Sequence, residues 1–123
     1  MALAMATAAA TLLTGACGGP GPEATDLSPQ AAEGLEVARR YNCTGCHSTD
    51  GSDSVGPTWA GLYGSEVELV GGATVVADDP YLRRSIVDPT AEVVEGFRST
   101  MPTQDLDDEQ VEAAIAYIRE LAG

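Results

Sequence analysis

The chain has 123 residues, with 19 acidic and 6 basic side chains, and its formal net charge is −13. This length fits one domain. The acidic balance excludes a nucleic-acid-binding protein, which needs a basic surface to neutralise phosphates, and it excludes docking to an anionic membrane through a basic patch. We expect a monomer that meets the basic or neutral surfaces of partner proteins.

The first 16 residues carry no charge. They are fewer than the about 18–20 apolar residues that span a bilayer, and they have the length and small-residue ending of a signal peptide. The residues before Cys17 resemble a bacterial lipobox, in which this cysteine is lipidated, although Thr14 stands where leucine is usual. We predict a signal peptide over 1–16, a lipid on Cys17 and a periplasmic or other extracytoplasmic location. The lipid would be the only attachment to a membrane. The alternative is an ordinary exported chain with an incidental cysteine.

The residues after Cys17 are rich in glycine and proline, which predicts a flexible tether over 17–27 and a folded domain over 28–123. Ser28 is a favourable N-cap and Pro29 suits the first position of a helix, which would end near Asn42. Only 26 of the 96 residues from Ser28 onward are large and apolar. We therefore expect something other than side chains to fill part of the core.

A Cys-x-x-Cys-His motif, Cys43 to His47, follows this helix. It indicates one covalent haem c, because two thiols at this spacing can reach both vinyl groups of a porphyrin. His47 would then lie under the iron as an axial ligand. A thioredoxin-like redox pair is one alternative, but it needs a preceding strand. A structural zinc site is another, but it needs four ligands, and the chain beyond Cys17 offers two cysteines and one histidine.

Two further elements follow a loop. Alternating valines and leucine around Gly71-Gly72 predict a β-hairpin over 66–77 with a two-residue turn. Asp79-Pro80 predicts the cap of a short helix from Tyr81 to about Val87. A helical turn is also predicted around 91–94.

The last helix has the clearest pattern. Asp107 is its predicted N-cap, and Gln110 stands three residues later as in a capping box. Leu106 and Val111 are spaced as a hydrophobic staple. An apolar stripe then continues to Leu121 and predicts a helix packed on the core.

Met101 is the only methionine beyond Cys17, and it stands in a polar, irregular segment. His47 is the only histidine, so two-histidine ligation within the chain is impossible. Elimination therefore favours Met101 as the second axial ligand, which raises a haem potential relative to two histidines. The alternative is a methionine that fills space over an open iron.

Residues 34–121 resemble a class I cytochrome c, and they are most similar to the cytochrome c domain of bacterial haem–copper oxidase subunit II. The motifs that carry the resemblance occur in the family's order: Gly34, Cys43 to His47, Val55 to Pro57, Gly61 to Gly64, Tyr81 to Arg83, Ile86, Pro89, Gly96-Phe97, Met101-Pro102 and Ala116 to Ile118. The resemblance implies an all-α, class I cytochrome c fold of three main helices around one covalent haem. The hairpin near 66–77 would be a small insertion.

The resemblance also implies roles for single residues. The Pro57 carbonyl would accept a hydrogen bond from the second ring nitrogen of His47. Gly34 would let the last helix approach closely. Trp59, Tyr63 and Arg84 would meet the haem propionates.

The function implied is that of a one-electron carrier, not an enzyme, in a bacterial respiratory chain, and its acceptor would be a haem–copper terminal oxidase. Since the copper domain and membrane anchor of subunit II are missing here, we expect a free-standing cytochrome domain. One alternative is a haem subunit of a dehydrogenase or reductase complex. The other is a catalytic or gas-sensing haem protein with an open distal site.

Overall fold

A computed structural model describes residues 25–123. The predicted signal peptide, Cys17 and most of the predicted tether lie outside the described residues. The chain forms three helices and one two-stranded antiparallel sheet: α1 Pro29–Arg40, β1 Glu66–Glu68, β2 Thr74–Val76, α2 Asp79–Val87 and α3 Asp108–Glu120. The expected fold of three main helices with a small hairpin is therefore confirmed. Across residues 25–123, no helix has the length and apolar character needed to cross a membrane.

Helix α1 begins and ends where local chemistry dictates. The Ser28 side chain accepts a hydrogen bond from the Ala31 amide at 3.3 Å, and Pro29 occupies the first helical position, as predicted. Asn42 adopts a left-handed conformation with φ of 56°, a region that asparagine tolerates better than most residues. The helix therefore ends at Arg40, slightly earlier than expected, and the chain turns at Asn42 into the next motif.

Helices α1 and α3 pack together at a glycine, and this contact is the centre of the core. A Cβ atom added to Gly34 would lie 1.9 Å from the Ala113 carbonyl oxygen and 2.8 Å from the Tyr117 Cβ. The predicted close approach at Gly34 is thus confirmed. The most completely buried large side chains all belong to α3, namely Val111, Ile115 and Ile118.

The hairpin has the predicted position but a different turn. Strands β1 and β2 pair in register, with Val67 opposite Val75. The Leu69 amide donates to the Ala73 carbonyl at 2.8 Å, so the loop has three residues, Val70 to Gly72, and the two-residue turn was wrong. Both loop glycines have positive φ, 101° and 88°, which side-chain-bearing residues rarely adopt.

The segment after α2 is extended rather than helical. Val94 forms an antiparallel bridge with Leu69, and the Glu95 amide donates to the Glu68 carbonyl at 2.8 Å. The helical turn predicted around 91–94 was therefore wrong, because pairing with the hairpin edge satisfies the backbone there. These bonds attach the chain before Met101 to the hairpin.

The remaining helix termini follow from short polar side chains. Helix α2 is capped by Asp78, whose side chain accepts from the Tyr81 amide at 3.0 Å, so it begins two residues earlier than predicted. Helix α3 has the predicted capping box, in which Asp107 and Gln110 bond to each other's backbone amides.

Candidate haem site

The Cys-x-x-Cys-His motif lies on a tight turn directly after α1. Residues 43–45 form a single 3₁₀ turn, and the amides of Cys46 and His47 both donate to the Cys43 carbonyl, at 3.1 and 3.0 Å. Both cysteines and His47 line one cavity. The local fold therefore presents two thiols and one imidazole to the same space, as haem attachment requires.

This cavity has a volume of about 360 Å³ and a predominantly apolar lining. Its walls come from the motif, residues 55–62, one side of α2, residues 92–104 and Ile118 of α3. A small all-side-chain core does not need such an opening, and interiors are normally packed without large voids. The cavity accounts for the scarcity of large apolar residues in the sequence.

The His47 ring is held on three sides. Its Nδ1 lies 2.7 Å from the Pro57 carbonyl oxygen, so this nitrogen is the donor and Nε2 keeps its lone pair. The Trp59 ring stacks against it with centroids 5.2 Å apart and planes 17° apart. A Cβ on Gly56 would lie 2.6 Å from the His47 Cε1, so only glycine fits there without displacing a neighbour.

Burial changes the pKa values of two cavity residues, His47 and Cys43. It lowers the pKa of His47, and the hydrogen bond to the Pro57 carbonyl only partly opposes that effect. A neutral imidazole, which is the form that binds metals, is therefore favoured at neutral pH. Burial also raises the pKa of the free Cys43 thiol, which stays protonated at neutral pH.

Met101 also lines the cavity, from an irregular segment between residue 95 and α3. Its side chain is partly buried. Within residues 25–123, no backbone amide from Met101 to Leu106 donates a hydrogen bond to the protein. His47 thus lies on a turn with several backbone hydrogen bonds, whereas Met101 lies on a segment with few.

The predicted haem-environment residues divide into two groups. Pro57 and Trp59 line the cavity, whereas Tyr63 and Arg84 do not. The Tyr63 ring lies under the Arg119 guanidinium, 5.2 Å from its carbon atom. The Arg84 guanidinium lies 3.6 Å from a Glu92 carboxylate oxygen. The structure therefore brings six of the predicted residues to one cavity and leaves Tyr63 and Arg84 outside its lining; the six are Cys43, Cys46, His47, Pro57, Trp59 and Met101.

The cavity lining also contains polar residues that were not predicted from the sequence to belong to the site, among them Tyr81, Ser85, Glu92 and Arg98. Tyr81 and Ser85 lie one turn apart on α2, and Glu92 follows that helix. The Ser85 hydroxyl is buried without a hydrogen-bond partner among the described residues. The four-residue spacing of Tyr81 and Ser85 was the available signal, since it places both side chains on one helix face.

The Cytochrome c family model matches residues 31–122, three quarters of the chain. The chain belongs to the cytochrome c family. A comparison with curated proteins finds none that matches. As a member of this family, the protein binds haem c covalently and is a haem electron carrier.

The residues of this cytochrome fit that cofactor. Cys43 and Cys46 provide the two thiols, and His47 has the oriented, neutral ring that an axial ligand needs. The described part of the chain contains no group of three or more His, Cys, Asp or Glu side chains arranged to hold a metal ion. The zinc alternative therefore has no ligand set among residues 25–123, whereas the haem motif opens onto a large apolar cavity.

Proposed function

We propose that this cytochrome c is a one-electron carrier of a bacterial respiratory chain and delivers electrons to a haem–copper terminal oxidase. The observation that carries the proposal is that one apolar cavity is lined by Cys43, Cys46 and His47 and also by Met101. This donor set provides two thioether attachments, one imidazole nitrogen and one thioether sulfur.

The residues that line the cavity would have different roles in holding the haem. Cys43 and Cys46 would form the thioether bonds to the haem, and His47 and Met101 would ligate its iron. The bound haem supplies reversible one-electron chemistry between ferric and ferrous iron. Pro57 and Gly56 keep the His47 ring in one orientation, so this ligand needs no rearrangement when the charge of the site changes. Methionine ligation favours the ferrous state more than a second histidine does.

The surface charge determines which partner this carrier can approach. The chain has six basic residues, all arginines, and 19 acidic ones. It therefore lacks the lysines that could surround a haem edge, and a partner with a basic surface is favoured. Val55, which is 62 % exposed and lines the cavity, offers an apolar contact at the same place.

Export and anchoring belong to the same proposal. Covalent attachment prevents loss of the haem outside the cytoplasm, and a lipidated Cys17 would keep the carrier near membrane-bound partners. Stable anchoring needs more than one acyl chain, because a single chain binds a membrane only marginally. Replacing Cys17 by serine should move the haem protein from the membrane fraction to the soluble fraction. A wild-type protein that is soluble after export would contradict the anchor.

The partner is tested by measuring how fast the reduced protein is oxidised by a purified haem–copper oxidase at increasing ionic strength. We expect second-order oxidation whose rate falls steeply with salt, because salt screens attraction within a Debye length of about 8–10 Å. A flat salt profile would assign docking to the apolar rim near Val55. A rate that rises with salt would mean that two acidic surfaces meet and would contradict the proposed docking.

The alternative of a dedicated haem subunit makes a different prediction. Such a subunit would co-purify in fixed proportion with a dehydrogenase or reductase and would exchange electrons with that enzyme, not with the oxidase. Solubilised membranes should be fractionated under mild conditions with the haem absorbance followed. Co-migration with a dehydrogenase and no electron transfer to the oxidase would overturn the proposed role.

A further inference from the structure

The six arginines differ in whether their guanidinium group forms an ion pair with a carboxylate. Four of them form ion pairs: Arg39 with Glu36, Arg83 with Asp108 and Glu112, Arg84 with Glu92, and Arg119 with Asp79. Arg40 and Arg98 form none with residues 25–123. Both side chains are exposed, and one of the two, Arg98, has a special position.

Arg98 lines the haem cavity, and it is the one arginine among the lining residues in the described part of the chain. Arg40 lies at the end of α1, is exposed and does not line the cavity. The one carboxylate in the lining, Glu92, is already within 3.6 Å of Arg84. Among the described residues, the cavity lining therefore has one cationic side chain without a carboxylate partner, that of Arg98, and the lining is predominantly apolar.

A haem brings two propionate carboxylates into this otherwise apolar space. A carboxylate placed beside low-dielectric surface needs a partner, and arginine's planar guanidinium can bind one with two parallel hydrogen bonds. We propose that Arg98 binds a haem propionate, a role that the resemblance implied for Trp59, Tyr63 and Arg84. The inference rests on the haem cofactor alone and is independent of the oxidase partner.

The backbone around Arg98 supports this role. The Glu95 amide is bonded to the hairpin, and the Phe97 amide donates to the Val94 carbonyl at 3.1 Å, with Gly96 in the left-handed region between them. The Arg98 carbonyl then accepts from the Thr100 amide at 2.8 Å. These turns hold the residue at the cavity edge, three positions before Met101.

An Arg98–propionate pair would also position the segment that carries Met101. Beyond Thr100, no backbone amide of the described residues donates a hydrogen bond until the Asp107 N-cap, and the Asp105 carbonyl alone accepts one, from the Tyr41 hydroxyl. The pair would fix the segment to the haem at a second point, beside the proposed iron ligand. Arg98 is thus a positioning residue that also places a positive charge near the site of reduction.

The test compares Arg98→Gln, Arg98→Lys and Arg40→Gln holoproteins. The Arg40→Gln variant is the matched control, because it removes the same charge from an exposed arginine outside the cavity. The measurements are the reduction midpoint against redox mediators and the resonance Raman bending band of the propionates. Neither measurement depends on electron transfer to a partner.

We expect Arg98→Gln to shift the equilibrium with a mediator toward the ferric form by about two- to fivefold, which is typical of losing one partly exposed ion pair. The propionate band should move as well. Arg98→Lys should restore most of the midpoint, and Arg40→Gln should change it less than Arg98→Gln does. Equal shifts in Arg98→Gln and Arg40→Gln, or an unchanged propionate band in Arg98→Gln, would overturn the proposal.

Discussion

His47 and Met101 line the same cavity, but the segments that carry them are built in opposite ways. The His47 side is fixed by the 3₁₀ turn, by the Pro57 carbonyl at 2.7 Å and by the stacked Trp59 ring. Trp59 in turn meets the Tyr117 ring edge-on, with centroids 6.1 Å apart, which connects this side to α3. The imidazole is therefore oriented by protein contacts alone.

The Met101 side has almost none of these contacts. Within the described residues, no backbone amide between Thr100 and the Asp107 N-cap of α3 donates a hydrogen bond to the protein. The Tyr41 hydroxyl donates to the Asp105 carbonyl at 3.3 Å, which is a single long bond across the segment. A weakly bonded segment opens more easily than a packed one, so the bond from Met101 to iron would itself hold this side closed.

This contrast has a functional meaning for an electron carrier. One ligand is oriented before any cofactor is attached, which favours the correct imidazole nitrogen. The segment that carries the other proposed ligand has few backbone hydrogen bonds, so opening it to admit the haem would break few of them.

Removing both attachment points should have the largest effect. With Cys43→Ala and Cys46→Ala together, we expect no haem protein and no cooperatively folded chain, because the cavity of about 360 Å³ would lose its occupant and the apolar core is small. Circular dichroism and haem staining measure this. Thr44→Ala, which changes the exposed residue between the thiols, should keep both. A colourless double variant that unfolds cooperatively would contradict the prediction.

Loss of the proposed distal ligand should abolish one bond and leave the other side of the cavity intact. Met101→Ala should remove the weak sulfur-to-iron charge-transfer band of the ferric protein, and the reduced protein should bind carbon monoxide. Met101→His should remain six-coordinate with a lower potential, since imidazole favours ferric iron. Absorption spectra and potentiometry measure both effects. A wild-type protein that already binds carbon monoxide would instead support an open distal site.

Crowding the His47 ring should cost stability without removing a ligand. The added methyl of Gly56→Ala would lie 2.6 Å from Cε1 and 3.0 Å from Nε2 of His47. Overpacking of this kind costs about 1–3 kcal/mol of unfolding free energy. The nearby Ser54→Ala alters an exposed side chain outside the cavity lining and should change stability by about 0.5 kcal/mol or less. Denaturant titration of both holoproteins measures the difference, and equal midpoints would mean that the ring is not tightly held.

The sequence was sufficient wherever structure depends on neighbours along the chain. The Asp107–Gln110 capping box, the Ser28 cap and the cysteine motif each involve residues within a few positions of one another. Two of the wrong predictions involve residues that are not neighbours along the chain. Val94 is extended because it pairs with Leu69, and Arg84 is occupied because Glu92 lies beside it. Neither pairing has a local signal, whereas the position of Arg98 shortly before Met101 was a signal that could have been used.

A contact between α2 and α3 stabilises the fold away from both proposed iron ligands. Arg119 of α3 bonds to both carboxylate oxygens of Asp79 of α2 at 2.7 Å and covers the Tyr63 ring. The hydrogen bond from Arg119 lowers the pKa of Asp79 below its ordinary value of 3.8. Neither charged residue lines the haem cavity.

The pH dependence of this contact follows from the direction of the shift. A carboxyl group whose pKa is lower in the folded state binds fewer protons there, so its contribution is present above pH 3.8 and is lost as the pH falls further. The side chains of Arg119 and Asp79 are 43 % and 46 % exposed, so the pair contributes about 1 kcal/mol or less. Asp79→Asn should therefore lower stability slightly at pH 7, and the difference from wild type should disappear in strong acid.

Glu33→Gln, which removes the same charge from an exposed site on α1, is the control for general charge effects. Thermal melts at both pH values measure the stability, and the ferric spectrum should not change, because this contact supports the helices without contacting either proposed ligand. A constant difference between the Asp79→Asn and Glu33→Gln melts at all pH values would show that the pair's contribution is not electrostatic.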